Sequence, residues 1–209
     1  KHLLRLRLQC KGDELVGAIE AVTNMNTQWI QGERVIPRAY YGLSHYTKLK
    51  RVSAIGSQQT LFNGKDLDGW EMVKAYDFKN HGPIKVEEGV LKLGKGSPAS
   101  GIRIQGAFPR MNYEVEFEAR RVEGTDFFCG LTFPINDSYC TLIIGGWGGG
   151  VVGLSNIDTM AAVENETTRY LEVKDKRWYK VALTVRDEKI QVWIDNLEYA
   201  NVKTKEHKF

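Results

Sequence analysis

From Thr60 to about residue 200 the apolar residues recur with a period of two, and this alternation constrains the fold more than any other feature. NYEVEFEARRV (112–122) is the clearest stretch: Tyr113, Val115, Phe117 and Ala119 fall on one side of an extended chain. Glu114, Glu116, Glu118 and Arg120 fall on the other. IKVEEGVLKL (84–93) reads as a hairpin turning at Glu87–Gly89, and GIRIQ (101–105) as a short strand. WYKVALTVRDEKIQVWID (178–195) reads as two long arms about an Asp187–Glu188 turn. FFCGLTF (127–133) and SYCTLIIG (138–145) are apolar on both faces, as strands covered by a second sheet would be. Strands recurring with so little helix predict an all-β sandwich over residues 60–209.

Residues 1–59 do not share this pattern and read as a basic extension of mixed structure. Residues 1–60 carry nine Lys/Arg against four Asp/Glu, whereas residues 61–209 carry twenty against twenty-two. The positive charge therefore belongs to the N-terminal segment, and Lys48, Lys50 and Arg51 are too thinly spread to track a phosphate backbone, so no nucleic-acid partner is expected. DELVGAIEAVTNMNTQ (13–28) is the one stretch with helical spacing, through Leu15, Ile19 and Val22 with Asp13 as cap, and predicts a short helix. Residues 29–58 show no sustained period and read as short strands. No apolar run approaches the ~20 residues of a membrane span. Leu3–Leu8 mixes leucine with arginine rather than running as a secretory signal's apolar stretch.

Several motifs carry chemistry on paper. Gly148-x-Gly150-x-x-Gly153 matches a dinucleotide fingerprint, but VVGLSNID after it opens no helix to receive a pyrophosphate, so a bulged turn between strands is expected. Glu114, Glu116 and Glu118 lie ~6.5–7 Å apart along one face, a spacing usable for acid–base work on a glycosidic bond and equally that of a solvent-facing strand. Glu164-Asn165-Glu166-Thr167 with Asn156 forms a polar loop cluster, and Trp147 and Tyr139 could stack on a pyranose. Asn165-Glu166-Thr167 and Asn136-Asp137-Ser138 match the N-glycosylation acceptor. Cys129 and Cys140 read as buried free thiols, a bridge between them being the lesser alternative. No metal site is expected from the scattered histidines. No cofactor is expected either; a calcium ion would draw on Asp126, Asp137 and Asp158, loop aspartates that need no ion to explain them.

LFNGKDLDGW (61–70) resembles the opening signature of the DUF1080, or 3-keto-disaccharide hydrolase (3-keto-glucoside lyase/hydratase), family. VEEGVLKL, FPRMNYEVEFEARR and RWYKVALTVRDEKIQVWID follow in the family's order. The resemblance covers about residues 60–202 and implies a concanavalin A-like jelly-roll β-sandwich, a carbohydrate ligand and a periplasmic or extracellular location. In active members a sugar oxidised at C3 by a separate enzyme is opened by proton abstraction at C2, elimination and hydration, or net hydrolysis. Two departures stand out. DFFCGLTFP (126–134) and DSYCTLIIGG (137–146) replace the family's polar, acidic strands, with Cys140 where its glutamate is expected. Two closing strands of the family are also missing before Phe209, so residues 1–60, a second copy or a partner chain would cover the edge.

The leading expectation is an enzyme of divergent type. A base drawn from Glu116, Glu164 or Glu166 would take an acidified C–H proton, and Arg103 or another donor would stabilise the resulting oxyanion. Trp147, Tyr139, Asn156, Asn165 and Asp126 would bind the sugar. The alternatives are a non-catalytic carbohydrate-binding module and a structural module that docks a partner.

Overall fold

The computed structural model describes residues 59–209 in full and, before them, the backbone of residues 3–11, 14–22 and 45–50. The chain divides into two compact units, Lys1–Leu61 and Phe62–Phe209. In the first, β1 (Leu3–Lys11), β2 (Glu14–Val22) and β3 (His45–Lys50) form an antiparallel sheet in the order β1-β2-β3.

The helix expected over residues 13–28 is therefore corrected: Glu14–Val22 is a strand. Leu15, Ile19 and Val22 fit a helical face, but Val16, Ile19 and Val22 are β-branched and Gly17 is a poor helix former. Pairing then decides, because β2 is bonded along its length, Leu3↔Val22 through Lys11↔Glu14 on one side and Glu14↔Lys50 through Ile19↔His45 on the other. Asp13, the expected cap, and residues 23–28 of that expectation lie outside the described residues. Of the strands expected over 29–58, β3 is one, and residues 29–44 and 51–58 lie outside the described residues.

The second unit is the β-sandwich that the period-two pattern predicts. Two short antiparallel pairs come first, β4 (Trp70–Met72) with β7 (Ile102–Ile104) and β5 (Ile84–Glu87) with β6 (Val90–Leu93). The β5–β6 loop is Glu88–Gly89, both at positive φ (54° and 77°), the two-residue turn whose twist suits a hairpin. Two four-stranded sheets follow. One runs β15 (Leu197–Lys203), β14 (Lys189–Ile194), β13 (Trp178–Val185), β8 (Tyr113–Arg120). The other runs β12 (Arg169–Tyr170), β11 (Val151–Ser155), β10 (Ser138–Gly146), β9 (Cys129–Ile135).

The core lies between these sheets. Val181, Leu183, Ile190 and Val192 from one meet Phe133, Leu142, Ile144 and Leu154 from the other in a single buried cluster. Burial alternates strictly along β13 and β14, so every second residue faces outward. β9 differs from expectation at its start. It begins at Cys129 rather than Phe127, because Phe127 has φ 39° and its amide is bound by the Asp126 carboxylate at 2.9 Å. β9 also alternates, with Phe133 and Ile135 buried and Gly130 and Thr132 exposed, while β10 is buried on both faces only from Leu142 onward. Among the described residues no helix is long and apolar enough to cross a membrane.

Truncating the core and the rim should separate cleanly. Leu183, wholly buried, should lose about 2–5 kcal/mol of stability on substitution by alanine. Leu197→Ala, at a residue 65% exposed, should change it by less than about 0.5 kcal/mol. Equal midpoints for the two variants in urea unfolding would contradict this placement of the core.

Candidate functional site

Packing one row of each strand into the core obliges the alternate row to face solvent. On the sheet β15-β14-β13-β8 that outward row is chemically dense. Glu114, Glu116, Lys180, Ala182, Trp193 and Asn196 line one groove. The register sets Glu116 opposite Ala182, and Ala182 opposite Trp193 on the next strand. Ala182 thus forms a low floor between a carboxylate and an indole. Lys180 Nζ lies 3.3 Å from Glu116 Oε2, and Arg186 Nη2 lies 3.4 Å from Glu114 Oε2. All four side chains are about half exposed, and pairs of this kind hold so weakly that a ligand can displace them. Asn196 joins at the β14–β15 turn, where Asp195 and Asn196 both take positive φ. The Asp195 carboxylate fixes that turn by accepting the Lys180 amide at 3.0 Å.

The other expected catalytic residues stand elsewhere. Arg103 is on β7, ion-paired with Glu71 of β4 in a groove with Leu67, Trp70 and Met72. Glu164 and Glu166 belong to the loop between β11 and β12, which is bound to the opposite sheet. Glu164 Oε1 accepts the Ala161 amide at 3.1 Å, and Glu166 Oε1 lies 3.1 Å from His207 Nε2.

Asn165 is the peg of that loop rather than a side chain presented to solvent. Buried, it donates through Nδ2 to the carbonyls of Leu154 (2.8 Å) and Ala161 (2.9 Å). Its Oδ1 accepts from the amide and hydroxyl of Thr167 at 2.9 and 2.6 Å, so every polar atom is used within the fold. The Gly-rich run contributes here: a Cβ on Gly153 would come within 3.0–3.1 Å of Thr167 and the Ala162 carbonyl, so glycine lets the loop close on β11. Asn156, exposed at φ 68°, sits at the loop's start, its amide bonded to the Met160 carbonyl at 3.0 Å.

Trp147 and Tyr139 do not share a platform. They mark opposite ends of β10, whose span from Tyr139 to Gly146 is ~23 Å at the usual strand rise. Tyr139 lies beneath the Arg110 guanidinium, 4.9 Å from its carbon. Trp147 packs on Phe127 with ring centroids 5.1 Å apart, and both rings are substantially exposed. Asp126 stands beside them, its carboxylate accepting the amides of Phe127 and Gly148. The three aspartates weighed for calcium sit in three different loops. Asp158 is bound to His207 Nδ1 at 2.6 Å and to the Lys208 amide at 2.8 Å. Among the described residues no three His, Cys, Asp or Glu side chains converge as metal ligands do.

Cys129 and Cys140 are free, and the alternative of a bridge between them is excluded because Cys129 pairs with Ile144 and Cys140 with Phe133 along the strands. Burial pushes their thiols up, to about 11 and about 12 respectively. Cys140 faces the core, whereas Thr141 beside it faces outward with its hydroxyl 2.9 Å from that of Thr132. Hydroxyls therefore occupy outward positions of β9 and β10, while Cys140, where the family resemblance leads one to expect a glutamate, is turned into the core.

Of the four residues expected to carry catalysis, Arg103, Glu116, Glu164 and Glu166, Glu116 alone lies in the carboxylate–ammonium–indole groove, with Glu114 of the same glutamate row beside it. Its partners Trp193 and Lys180 were missed, though KIQVWI carries the signal: Gln191 and Trp193 alternate with the buried Ile190, Val192 and Ile194.

Fold and face together define a β-sandwich domain that displays polar and aromatic side chains from the outside of a sheet. A family model described as the 3-keto-alpha-glucoside-1,2-lyase-like domain matches residues 57–209, well over half of the chain, and the chain belongs to that family. No curated protein and no solved structure matches it.

Two outcomes follow from the loop. Asn165→Ala strands the bonding groups of Leu154 and Thr167 and should cost about 2–4 kcal/mol, measured by chemical denaturation; a loss no larger than that of an exposed-site control would refute the peg. The second concerns the clasp of His207. Its hydrogen bond to Asp158 raises the imidazole above its ordinary 6.5, with Glu166 and Glu206 adding to the effect. The stabilisation is complete below about pH 6.5 and is lost as pH rises through the raised value. Asp158, lowered from 3.8 by the same bond and by the Lys208 amide, contributes above about pH 3.8 and fails as pH falls through its lowered value. Stability from the clasp should peak between those limits, and His207→Ala should flatten the fall in thermal midpoint above neutrality. Parallel profiles for the two proteins would disprove it.

Proposed function

We propose that this domain acts on glycosides bearing a ketone at C3, by proton abstraction followed by elimination and hydration, or net hydrolysis. The observation that carries this reading is the groove in which Glu116, Lys180 and Trp193 meet over Ala182. The ketone acidifies the C2 proton, and the Glu116 carboxylate takes it. The C–H electron pair forms a C2–C3 double bond and leaves the former ketone oxygen as an enolate. The Lys180 ammonium, 3.3 Å from Glu116, is within reach of that oxygen and favours its negative charge. Return of the pair restores the C3 carbonyl and expels the C1 oxygen substituent, giving a C1–C2 alkene across which water adds. The Trp193 indole offers its face to a pyranose ring. Relative to the sequence expectation, the base narrows from Glu116, Glu164 or Glu166 to Glu116, the oxyanion donor becomes Lys180 in place of Arg103, and the platform becomes Trp193 in place of Trp147 and Tyr139.

A second reading, a carbohydrate-binding module without catalysis, is favoured by the buried thiol of Cys140 standing where the family resemblance leads one to expect a glutamate. Turnover of a 3-keto-glycoside by the wild type, Glu116→Gln and Lys180→Ala separates the two. Loss of a proton-transfer residue should lower kcat about 100-fold or more. Unchanged turnover in Glu116→Gln would remove Glu116 as the base, and saccharide binding without product in the wild type would establish the binding module.

A further inference from the structure

We infer that Glu198 is a specificity-determining residue that selects a hydroxylated, sugar-like leaving group, an inference that rests on Glu116 being the base. The row containing Glu116, Ala182 and Trp193 continues to Glu198 on β15, because the register sets Trp193 opposite Glu198. Neighbouring strands lie ~4.8 Å apart, so the row from Glu116 to Glu198 spans ~14 Å, wide enough for two pyranose rings side by side. This arrangement is built by a β-bulge. Val192 pairs with Ala200, and without the register shift that follows, Trp193 would meet Tyr199. With the shift, Tyr199 packs against the core and the carboxylate comes to the outward face beside the indole.

Glu198 is also held. Gln191 Nε2 donates to its Oε2 at 2.9 Å, and Asn201 Nδ2 lies 3.3 and 3.2 Å from Oε1 and Oε2. Two carboxamides from neighbouring strands orient a carboxylate whose remaining lone pairs are open to hydroxyl donors. The sequence across the sheet is thus base, low floor, indole, acceptor. A ring reacting at Glu116 sits over Ala182, and its C1 substituent extends over Trp193 towards Glu198. A substituent with hydroxyls engages that acceptor, and an alkyl group leaves it unused.

The test is the ratio of kcat/KM for a 3-keto-disaccharide to that for a methyl 3-keto-glycoside. Glu198→Ala should lower this ratio about tenfold, the effect of losing a hydrogen bond to a charged acceptor. Glu198→Gln, which keeps the shape and one acceptor oxygen, should fall between. Glu116→Gln should depress both substrates and leave the ratio near that of the wild type. A ratio unchanged in Glu198→Ala overturns the inference while leaving the base intact. If the wild type turns over neither compound, the catalytic reading fails and the inference about Glu198 falls with it.

Discussion

Everything in the second unit depends on the apolar contact between its two four-stranded sheets. Tyr179, Val181, Leu183 and Val185 from β13 and Ile190, Val192 and Ile194 from β14 are essentially removed from water. No α-helix or disulfide among the described residues shares that task. Burial of these side chains is the dominant favourable contribution against the conformational entropy of ordering the strands. Because successive side chains on a strand point to opposite faces, the same packing commits Glu114, Glu116, Lys180, Gln191 and Trp193 to the outside. The polar face that bears the groove is the obligatory complement of the core.

Register then decides which outward residues become neighbours. Glu116 and Trp193 are far apart in sequence, and antiparallel pairing through β13 brings them into one row about Ala182. A slip of one residue in either pairing would exchange the faces and bury carboxylates, so the core protects the geometry of the groove. The bulge before Trp193 is a local departure from that regularity, and it moves Glu198 rather than Tyr199 to the outward face. On the opposite sheet, polar side chains are spent on structure. Asn165 pegs the β11–β12 loop, Glu164 and Asp158 bind backbone amides, and Glu166 meets His207.

Much of this was legible in the residues. The β5–β6 and β13–β14 hairpins and the alternation of β8 followed from period and turn chemistry, since local pattern and tertiary burial agree there. β2 was misread because Leu15, Ile19 and Val22 satisfy a helical spacing as well, and its two partners, β1 and β3, are not encoded within its own sequence. Glu116 was recognisable as a candidate from the row of glutamates. Asn165 and Glu166 looked equally suited to a sugar, and only their distant partners, Leu154 and His207, show them engaged within the fold.

Residue pattern was enough for an all-β sandwich after Thr60, for which side chains of β8, β13 and β14 point together, and for the family signature at its start. These depend on a periodicity of two and on short-range turn preferences, both written in contiguous residues. Tertiary structure alone decided that Glu116 meets Lys180 and Trp193 rather than Arg103, Glu164 or Glu166, and that Cys140 faces the core. Those outcomes depend on strand order and register, which are set by how two sheets bury their apolar faces against each other across the whole unit.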